Sequence, residues 1–433
     1  MHRSGTVPLA LSPPPSAGRV WVGFSGGLDS TALLHRLAQD PGIRMQGLHA
    51  IHVHHGLQPD ADAWAEHCAA FCRTLDVPVQ VHRVHVDASR GDGIEAAARR
   101  ARHAAFSGVM QAGDIIALAH HRDDQAETFL LRALRASGPE GLAGMRPWRA
   151  FGSGWLWRPW LDAPRAALEA YARAASLSWI EDPSNAGTAH DRNFLRHEVL
   201  PLLRQRWPHA DSAFARSAVL SAGAADLLVR QDRALLAVAA TADPAALDVA
   251  PLRAADAASR ARAVRRWIDG LSLPALPAEG VAQIEAQLLD ARPDAQAEFV
   301  WQDAVVRRWR GLLHAERLRP ALRGDWTSDW NGADTLSLPD GGSLSLEGDG
   351  SPLDVPVRVC ARRGGERIAL PGRPHRHALK DVLQSQGVPP WERRRLPLLW
   401  QGDALWAAGD LVLSAACEAW LRTAGRRLVW RRD

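Results

Sequence analysis

Residues 19–38 read RVWVGFSGGLDSTALLHRLA, and this stretch decides the fold of the N-terminal part of the chain. The apolar run Val20–Phe24 predicts a buried strand, and Thr31–Ala38 has the pattern of the helix after a turn. Between them lies the hexapeptide SGGLDS, residues 25–30. Two adjacent glycines let backbone amides approach an anion, and a helix N-terminus adds partial positive charge. The stretch therefore predicts a phosphate-binding turn, with the two serine hydroxyls as further donors.

The same alternation of apolar runs and helical patterns continues to residue 135. Further strands are predicted at Gly47–Val53, Pro78–Val86 and Asp114–Ala119, and further helices at Ala61–Leu75, Ile94–Met110 and Asp123–Arg135. This order favours an α/β fold with a doubly wound, mostly parallel sheet, which binds ligands at the carboxyl ends of its strands. The loops after the first, second and fourth strands are therefore the candidate functional loops.

Composition shifts divide the whole chain into five predicted segments. They are an N-terminal extension 1–18, an α/β nucleotide-binding domain 19–215, a helical domain 216–320, an acidic Gly/Ser-rich linker 321–354, and a small basic α+β domain 355–433. Within the linker, two Leu-x-Leu runs flank Pro339–Gly342, which predicts a hairpin.

The net charge of +4 on 433 residues conceals a segregated distribution. Residues 355–433 hold 15 basic and 7 acidic residues, a net charge of +8, so the rest of the chain carries −4. Such an excess suits contact with the phosphate backbone of a nucleic acid, which is electrostatic and insensitive to sequence. The densest basic clusters are Arg393–Arg395 and Arg426–Arg427.

The chain has a single lysine, Lys380, so 51 of its 52 basic residues are arginine. Because neither a glycine nor the kinase pattern precedes Lys380, the sequence excludes a GxxxxGK[ST] phosphate loop and a protein-kinase lysine. The four cysteines form neither a disulfide framework nor a zinc pattern, and Cys68 and Cys72 are expected in a helix core. With no signal peptide and no apolar run of about eighteen residues evident, we expect a cytoplasmic protein.

Further motifs accompany the hexapeptide in a fixed order. They are HVHHGL at 52–57, IEAAARRAR at 94–102, HHRDDQAET at 120–128, GPEGLAGM at 138–145, RP at 158–159, EDPSN at 181–185, DRNFLR at 191–196, LKD at 379–381 and GVPPW at 387–391. The ordered set resembles the tRNA(Ile)-lysidine synthase family of the PP-loop ATP-pyrophosphatase superfamily, whose loop has the pattern SGGxDS. The resemblance covers nearly the whole chain apart from residues 1–18 and the acidic segment. One departure is His103, where the family usually has tyrosine.

The resemblance implies an enzyme that uses ATP and Mg²⁺. Its implied partners are free L-lysine and the isoleucine tRNA with a CAU anticodon, and a homodimer is one of the open alternatives for its assembly. The oxygen on carbon 2 of the wobble cytidine attacks the α-phosphate of ATP, and pyrophosphate leaves. The ε-amine of lysine then attacks carbon 2 and AMP leaves, which gives lysidine.

The resemblance also implies roles for the residues at the matching positions. The implied ATP ligands are Ser25, Gly26, Gly27, Leu28, Asp29, Ser30, His52, His54, Arg99 and His120, with Asp29 also as the Mg²⁺ ligand. The implied contacts to lysine and tRNA are Glu95, Arg102, Asp124, Glu127, Asn193, Arg196, Lys380, Arg393, Arg394 and Arg395. The implied catalytic residues are Asp29, Asp124, Glu127 and Arg192.

Residue spacing alone leaves alternatives for the most important of these residues. Asp124 and Glu127 are three apart at a predicted helix start and share a face, which suits either a cation or the helix dipole. Asp29 is either a Mg²⁺ ligand or a helix N-cap. His52 and His54 share a strand face, where packing near the nucleotide is favoured because no third ligand has zinc spacing.

Other functions for the whole chain are less well matched. Another PP-loop enzyme, such as a tRNA thiolase, NAD synthetase or GMP synthetase, would need a suitably spaced cysteine pair or a glutaminase domain. A catalytically inactive tRNA-binding protein would not need Asp29, Asp124 and Glu127 together.

Overall fold

The structure is a computed structural model that describes residues 9–87, 89, 93–183, 187–188, 190–290 and 297–432. The backbone separates into two compact units, Met1–Arg230 and Gln231–Asp433. The predicted motif residues Ser184 and Asn185, and the first eight residues of the N-terminal extension, lie outside the described part of the chain.

The first unit follows the alternation of strands and helices predicted from the sequence. Its strands are β1 Val20–Gly23, β2 Leu48–His54, β3 Val79–Arg83, β4 Ile115–Ala117, β5 Trp148–Phe151 and β6 Gly154–Trp157. Its helices are α1 Leu28–Ala38, α2 Pro41–Gln46, α3 Ala61–Thr74, α4 Ile94–Val109, α5 Arg122–Ala133, α6 Pro139–Leu142, α7 Arg165–Ala174, α8 Asp191–Phe194, a π-helical turn Leu195–Val199, α9 Leu200–Arg206, and α10 Ala210–Ala239, which runs past the unit boundary.

These six strands form one sheet in the order β3-β2-β1-β4-β6-β5. All neighbouring pairs are parallel except β5 with β6, which confirms the mostly parallel sheet. The chain moves outward from β1 to β2 and β3, and then returns to place β4 on the other side of β1. The loops after β1 and β4 therefore flank a topological switch point, where doubly wound sheets bind their ligands.

Apolar side chains cover both faces of this sheet. Alternate residues of β1 point to opposite faces, so Val20 and Val22 join one core and Trp21 joins the other. Cys68 and Cys72 are fully buried in the first of these cores, as predicted. Burial on both faces explains why the central strands β1 and β4 are apolar runs in the sequence, whereas the outer strand β3 is largely exposed.

The second unit consists of mostly antiparallel sheets and of short helices. Its strands are β7 Ala246–Asp248, β8 Glu298–Trp301, β9 Ala304–Trp309, β10 Leu312–Arg317, β11 Thr327–Trp330, β12 Leu336–Ser337, β13 Ser343–Glu347, β14 Val357–Cys360, β15 Arg367–Ala369, β16 Arg376–Ala378, β17 Leu398–Gln401, β18 Ala404–Ala408, β19 Val412–Leu413 and β20 Arg427–Arg431. Its helices are α11 Val249–Ala254, α12 Ala257–Gly270, α13 Ala278–Gln283, a π-helical turn Ile284–Leu288, α14 Leu379–Ser385, α15 Pro390–Arg395 and α16 Ala415–Ala424. Strands β15 and β18 are the described parallel pair of this unit.

The predicted helical domain 216–320 is helical only in its first part. Strands β7, β10, β9 and β8 form a four-stranded sheet that packs on α11–α13. Arg310 and Gly311 both have positive φ, and they join β9 to β10 by a two-residue turn whose twist matches the hairpin. The abundance of Ala, Leu and Arg conceals this turn and the β-branched residues of β9.

The acidic segment 321–354 forms the predicted hairpin, with Leu336 opposite Leu344. The prediction that this segment is a linker is wrong, because its strands belong to the terminal sheets. Strand β11 pairs with β14, and β13 pairs with β20 near the end of the chain. Leu344 and Leu346 are buried in the same core as Leu398 and Leu428.

Among the described helices, α10 is long and apolar enough to cross a membrane by length and composition. One such helix is weak evidence for a membrane span. Asp226 and Asp232 on α10 form ion pairs with Arg146 and Arg262, which suits an aqueous setting.

Candidate active site

The predicted phosphate loop links the end of β1 to the start of α1. The Ser30 hydroxyl donates to the Gly27 carbonyl at 3.0 Å, so the Ser25 hydroxyl is the donor in the 3.0 Å contact between the two Oγ atoms. The two hydroxyls therefore shape the loop. No side chain caps α1 at Gly27, and the first amides of a helix lack intrahelical acceptors. These amides are the donors that the loop presents to an anion.

Side chains beneath the loop hold it in this shape. The buried His52 donates from Nδ1 to the Phe24 carbonyl at 2.9 Å, and Cys68 Sγ lies 3.3 Å from the same nitrogen. Burial lowers the pKa of His52, so the ring is a neutral support for the loop. Gly26 has φ +84°, and a Cβ there would lie 2.5 Å from Ile180 Cδ1.

The start of α5, beyond β4, supplies the second half of the site. His121 is its N-cap: Nδ1 accepts from the Asp124 amide at 3.3 Å, and Asp124 Oδ2 accepts from the His121 amide at 3.0 Å. The proton of a neutral His121 ring is therefore on Nε2, which lies 3.4 Å from Asp124 Oδ2 and 3.6 Å from Asp29 Oδ2. Burial opposes protonation of the ring, but Asp29 and Asp124 outweigh it and raise the pKa of His121.

The predicted carboxylate pair is bound to two arginines from the segment after α7. Arg192 donates to Glu127 Oε2 at 2.7 Å and to Asp124 Oδ1 at 2.9 Å. Arg196 donates to Glu127 Oε1 at 2.6 Å and to Asp124 Oδ1 at 3.2 Å. Glu127 is only 1% exposed, and each of its oxygens accepts a charge-assisted hydrogen bond from these arginines. Burial opposes ionisation of Asp124, but His121 and Arg192 outweigh it and lower its pKa.

Asp29 connects the loop to this cluster and carries the atom that best suits a metal ion. Its Oδ2 faces His121, whereas its buried Oδ1 has no hydrogen-bond partner among the described residues. Arg165 Nε lies 4.0 Å from Oδ1, beyond hydrogen-bond distance. A buried carboxylate oxygen without a donor fits Mg²⁺, which is bound by one or two carboxylates together with phosphate oxygens.

A second group of neighbouring side chains at this edge, which we call the basic wall, consists of Arg102, His103, His120 and Arg158. Burial and the neighbouring Arg99 and Arg102 lower the pKa of His103 to about 4, so this ring is neutral. Burial together with nearby arginines lowers the pKa of Arg158 to about 10, which leaves its guanidinium charged at neutral pH. Arg102 Nε is buried without a hydrogen-bond partner in the described structure. Such an excess of donors favours an anionic ligand.

The GPEGLAGM segment is fixed to α5 by two long side chains. Gln125 donates from Nε2 to the Met145 carbonyl at 2.9 Å and accepts from the Met145 amide at 2.8 Å. Arg132 donates to the carbonyls of Gly141 and Gly144. These bonds explain the motif residues as a brace that holds the segment next to the site.

Several implied site residues lie outside this cluster of contacts. His54 pairs with Asp62 at 3.1 Å and so engages α3, while Asn193 donates to the Gly187 carbonyl at 2.8 Å. Glu95 and Arg99 are exposed on α4. Their roles toward ATP and tRNA stay predictions.

In the second unit, the three consecutive arginines of α15 have different surroundings. Arg394 and Lys380 are exposed, and Arg393 donates from Nε to the Val388 carbonyl at 2.7 Å. Arg395 is only 4% exposed and pairs with Glu316 and Glu392, both at 3.2 Å. The prediction that Arg395 contacts tRNA is therefore corrected to a structural role, because its guanidinium is enclosed by carboxylates of its own unit.

Sequence reasoning missed the roles of His121, Gln125 and Arg158. All three lie in the quoted motifs, so their presence was visible but their contacts were not. The signal that could have found Arg158 is its position directly after the apolar residues 155–157, which follow the fourth predicted strand in the sequence.

The loop leads into the uncapped amides of α1 at the switch point of a doubly wound sheet, next to an acidic helix start. This arrangement defines a PP-loop nucleotide-binding domain. Three family models match the chain. One described as a PP-loop domain matches residues 8–203, one described as a TilS substrate binding domain matches residues 247–314, and one described as a TilS substrate C-terminal domain matches residues 357–430.

Whole-chain relatives give the narrower classification. A tRNA(Ile)-lysidine synthase of Xanthomonas axonopodis pv. citri is 54% identical over 99% of this chain and 97% of its own. A tRNA(Ile)-lysidine synthase of Xylella fastidiosa (strain Temecula1) is 51% identical over 98% of this chain and 97% of its own. The chain belongs to the tRNA(Ile)-lysidine synthase family.

Among solved structures, the U34-tRNA thiolase NcsA from Methanococcus maripaludis matches 49% of this chain and 76% of its own, with 16% identity and a TM-score of 0.40. At these values the match adds nothing to the classification.

Proposed function

We propose that this protein ligates free L-lysine to carbon 2 of the wobble cytidine of the CAU-anticodon isoleucine tRNA, with ATP cleaved to AMP and pyrophosphate. The observation that carries the proposal is the junction of the amide loop with the Asp29–His121–Asp124 chain at one sheet edge. In a family member, this arrangement supplies sites for a triphosphate and for a cationic amine side by side.

The first step transfers the adenylyl group to the cytidine. The α1 amides and the Ser25–Ser30 loop bind the phosphates that leave as pyrophosphate, because fixed donors stabilise charge that develops on phosphate oxygens. Asp29 would hold Mg²⁺, which neutralises phosphate charge when bound. Arg102 and His120 supply further donors from the basic wall.

The second step joins lysine to the activated carbon. Asp124 and Glu127 bind the lysine ammonium, whose ordinary pKa of about 10.4 keeps it charged at neutral pH. Because Arg192 and Arg196 already donate to these oxygens, the ammonium either takes a remaining acceptor position or displaces one guanidinium. Once deprotonated, the amine attacks carbon 2, the bond to the AMP oxygen breaks, and AMP leaves with the bonding electrons.

The proposed partners are lysine and the isoleucine tRNA, in the cytoplasm, with the basic residues 355–433 as a tRNA-binding region. Arg394 and Lys380 are among its exposed basic side chains and can contact phosphates. The segments 19–215, 216–320 and 355–433 are proposed as the catalytic, substrate-binding and tRNA-binding regions.

The decisive experiment incubates the protein with ATP, Mg²⁺, radiolabelled lysine and a transcript of the CAU-anticodon isoleucine tRNA. We expect label in the RNA and one AMP per label. No label in the RNA, while AMP forms with a sulfur donor or another amine, would contradict the lysine assignment. AMP formation without tRNA modification would point to a different acceptor.

Glu127→Gln separates the two steps, because it removes the charge that binds lysine and leaves the ATP loop intact. We expect the KM for lysine to rise roughly 10- to 100-fold, as for loss of a charge-assisted hydrogen bond of about 1.5–3 kcal/mol. Pyrophosphate release without lysine should change far less. Glu169→Gln, at an exposed pair with Arg173, is the matched control. An unchanged KM for lysine in Glu127→Gln would place the lysine site elsewhere.

A further inference from the structure

His120 lies at the carboxyl edge of the sheet, just after β4, and is held by an arginine that has no role in the reaction described so far. Arg158 Nε donates to His120 Nδ1 at 3.2 Å. A guanidinium carries only donors, so Nδ1 must present its lone pair. The ring proton is consequently on Nε2, and a proton cannot enter Nδ1 without breaking this contact.

Arg158 is itself fixed at both ends. Its amide donates to the Pro147 carbonyl at 2.6 Å, and its Nη1 donates to the Arg146 carbonyl at 2.8 Å. The Arg146 side chain in turn binds Asp226 of α10 at 2.8 and 3.0 Å. Arg158 is only 4% exposed, so it has little freedom to release His120.

The groups around His120 also favour the neutral ring. Desolvation is the largest effect and lowers the pKa of His120 to about 3; Asp124 opposes it, whereas Arg158, Arg192 and Arg102 act with it. His120 remains half-buried, and no described residue accepts a hydrogen bond from its Nε2. The free Nε2–H is thus available to a ligand.

We propose that Arg158 is a positioning residue that locks His120 as the neutral Nε2–H tautomer, so that His120 donates a hydrogen bond to a phosphate oxygen. This assignment excludes His120 as the general base for the lysine amine, because its only lone pair is occupied by Arg158. Identification of the ligand as the phosphates of ATP or of the adenylated cytidine rests on the proposed function, whereas the tautomer does not.

The tautomer is measured directly by ring ¹⁵N NMR of the full-length, histidine-labelled protein. We expect one His120 signal pair with an unprotonated Nδ1 and a protonated Nε2, unchanged from pH 5.5 to about 8.5, given an ordinary histidine pKa near 6.5. The spectrum of His120→Gln identifies the signals. A proton on Nδ1, or titration of His120 within this range, would overturn the proposal. The measurement is made on the wild-type protein, and the variant serves only to assign the signals.

Arg158→Met removes the donor, and Arg149→Met removes an exposed positive charge close enough to act on Arg158. In Arg158→Met we expect the His120 ring to be free to change tautomer. The spectrum should then show a mixture of tautomers, or titration of His120 near the ordinary histidine pKa. Arg149→Met should leave His120 locked. Equal effects of the two variants would mean that net charge, and not the hydrogen bond, fixes the tautomer.

The role of Nε2–H is tested by pyrophosphate release, which does not need lysine. Gln at position 120 retains a neutral N–H donor and Ala does not, so His120→Gln should keep the rate within about tenfold while His120→Ala loses roughly 10- to 100-fold. Both should keep the wild-type pH profile. If both variants lost the same share of the rate, and the rate no longer fell at acidic pH, His120 would act as a base. If the tautomer is locked but tRNA gains no lysine, the proposed function fails and this inference stands.

Discussion

At the scale of single residues, Asp29 differs from the other acids of the site. Asp124 and Glu127 have donors on both carboxylate oxygens, whereas Oδ1 of Asp29 is buried without one. An unpaired buried oxygen costs free energy, and function often explains why such a cost is retained. The pairing pattern therefore makes Asp29 the acid of this site that best suits a cation, in line with its proposed role.

Asp29→Asn keeps the shape of the side chain and removes its charge. We expect pyrophosphate release to fall by about 10²–10³-fold, equivalent to ~3–4 kcal/mol of transition-state stabilisation. Because the buried oxygen is unpaired, Tm should stay constant or rise. Asp60→Asn, at an exposed position before α3 whose side chain caps nothing, is the control. Release close to the wild-type rate would remove Asp29 from metal binding.

The residue pairs of the site could be predicted from the sequence only in part. Asp124 and Glu127 are three apart on one helix, so their shared face follows from local geometry. Arg192 joins Glu127 across 65 residues, and no periodicity encodes such a contact. The fold brings the two segments together. Before the structure, only the resemblance to the family motifs assigned both segments to the same site.

At the scale of elements, the brace between α5 and the segment 138–145 determines how the acidic helix start is supported. Gln125 closes a two-bond ring with Met145, as a strand neighbour would. Gly144 has φ +62°, and a Cβ there would lie 2.6 Å from Gln125 Oε1. Glycine is therefore required at this position both by backbone conformation and by space.

Gly144→Ala should strain the backbone and displace the Gln125 amide from Met145. We expect a loss of about 1–3 kcal/mol from the left-handed conformation and the disturbed bonds, observed as a lower Tm. Gly138→Ala is the matched control, because a Cβ at Gly138 would meet nothing within 4 Å and the backbone there has no positive φ. Equal melting temperatures for both variants would show that the brace contributes no stability.

The elements that sequence analysis missed lie in regions whose composition conceals strands. The hairpin β5–β6 lies in a Gly/Trp/Pro-rich connection, and it adds two strands to the first sheet. Strands β8–β10 follow an Ala-, Leu- and Arg-rich region, where a helical pattern outweighs the short β-branched run of β9. Parallel strands that are buried on both faces were predictable, because each is an apolar run that can be recognised from its own sequence without knowledge of the strand it pairs with.

At the scale of the whole molecule, net charge overstates the basic surface available to tRNA. Arg427 and Arg431 both pair with Glu347, and Arg426 donates to backbone carbonyls. Arg395 is enclosed by Glu316 and Glu392. The excess of +8 in residues 355–433 therefore includes cations that hold the second unit together as well as cations that face solvent.

Two variants of α15 should separate cations that bind tRNA from cations that stabilise the second unit. Arg394→Glu should weaken tRNA binding and reduce the salt dependence, log Kd against log[salt], by about one phosphate contact, with Tm unchanged. Arg395→Met should lower the free energy of unfolding by about 1–3 kcal/mol, because the buried guanidinium loses its hydrogen bonds to Glu316, Glu392 and the Arg319 carbonyl. Loss of tRNA affinity in Arg395→Met at a temperature where it is fully folded would restore Arg395 as a tRNA contact.

The basic wall of the site has a chemical consequence for the chain itself. In the proposed reaction, the adenylated cytidine is an electrophile that any unprotonated amine nearby could attack. Residues 1–230 contain no lysine, and guanidinium groups remain protonated and unreactive at neutral pH. Arginine thus attracts the anionic substrates without offering a competing nucleophile. The first unit therefore has no lysine side chain that could attack the activated carbon in place of the substrate amine.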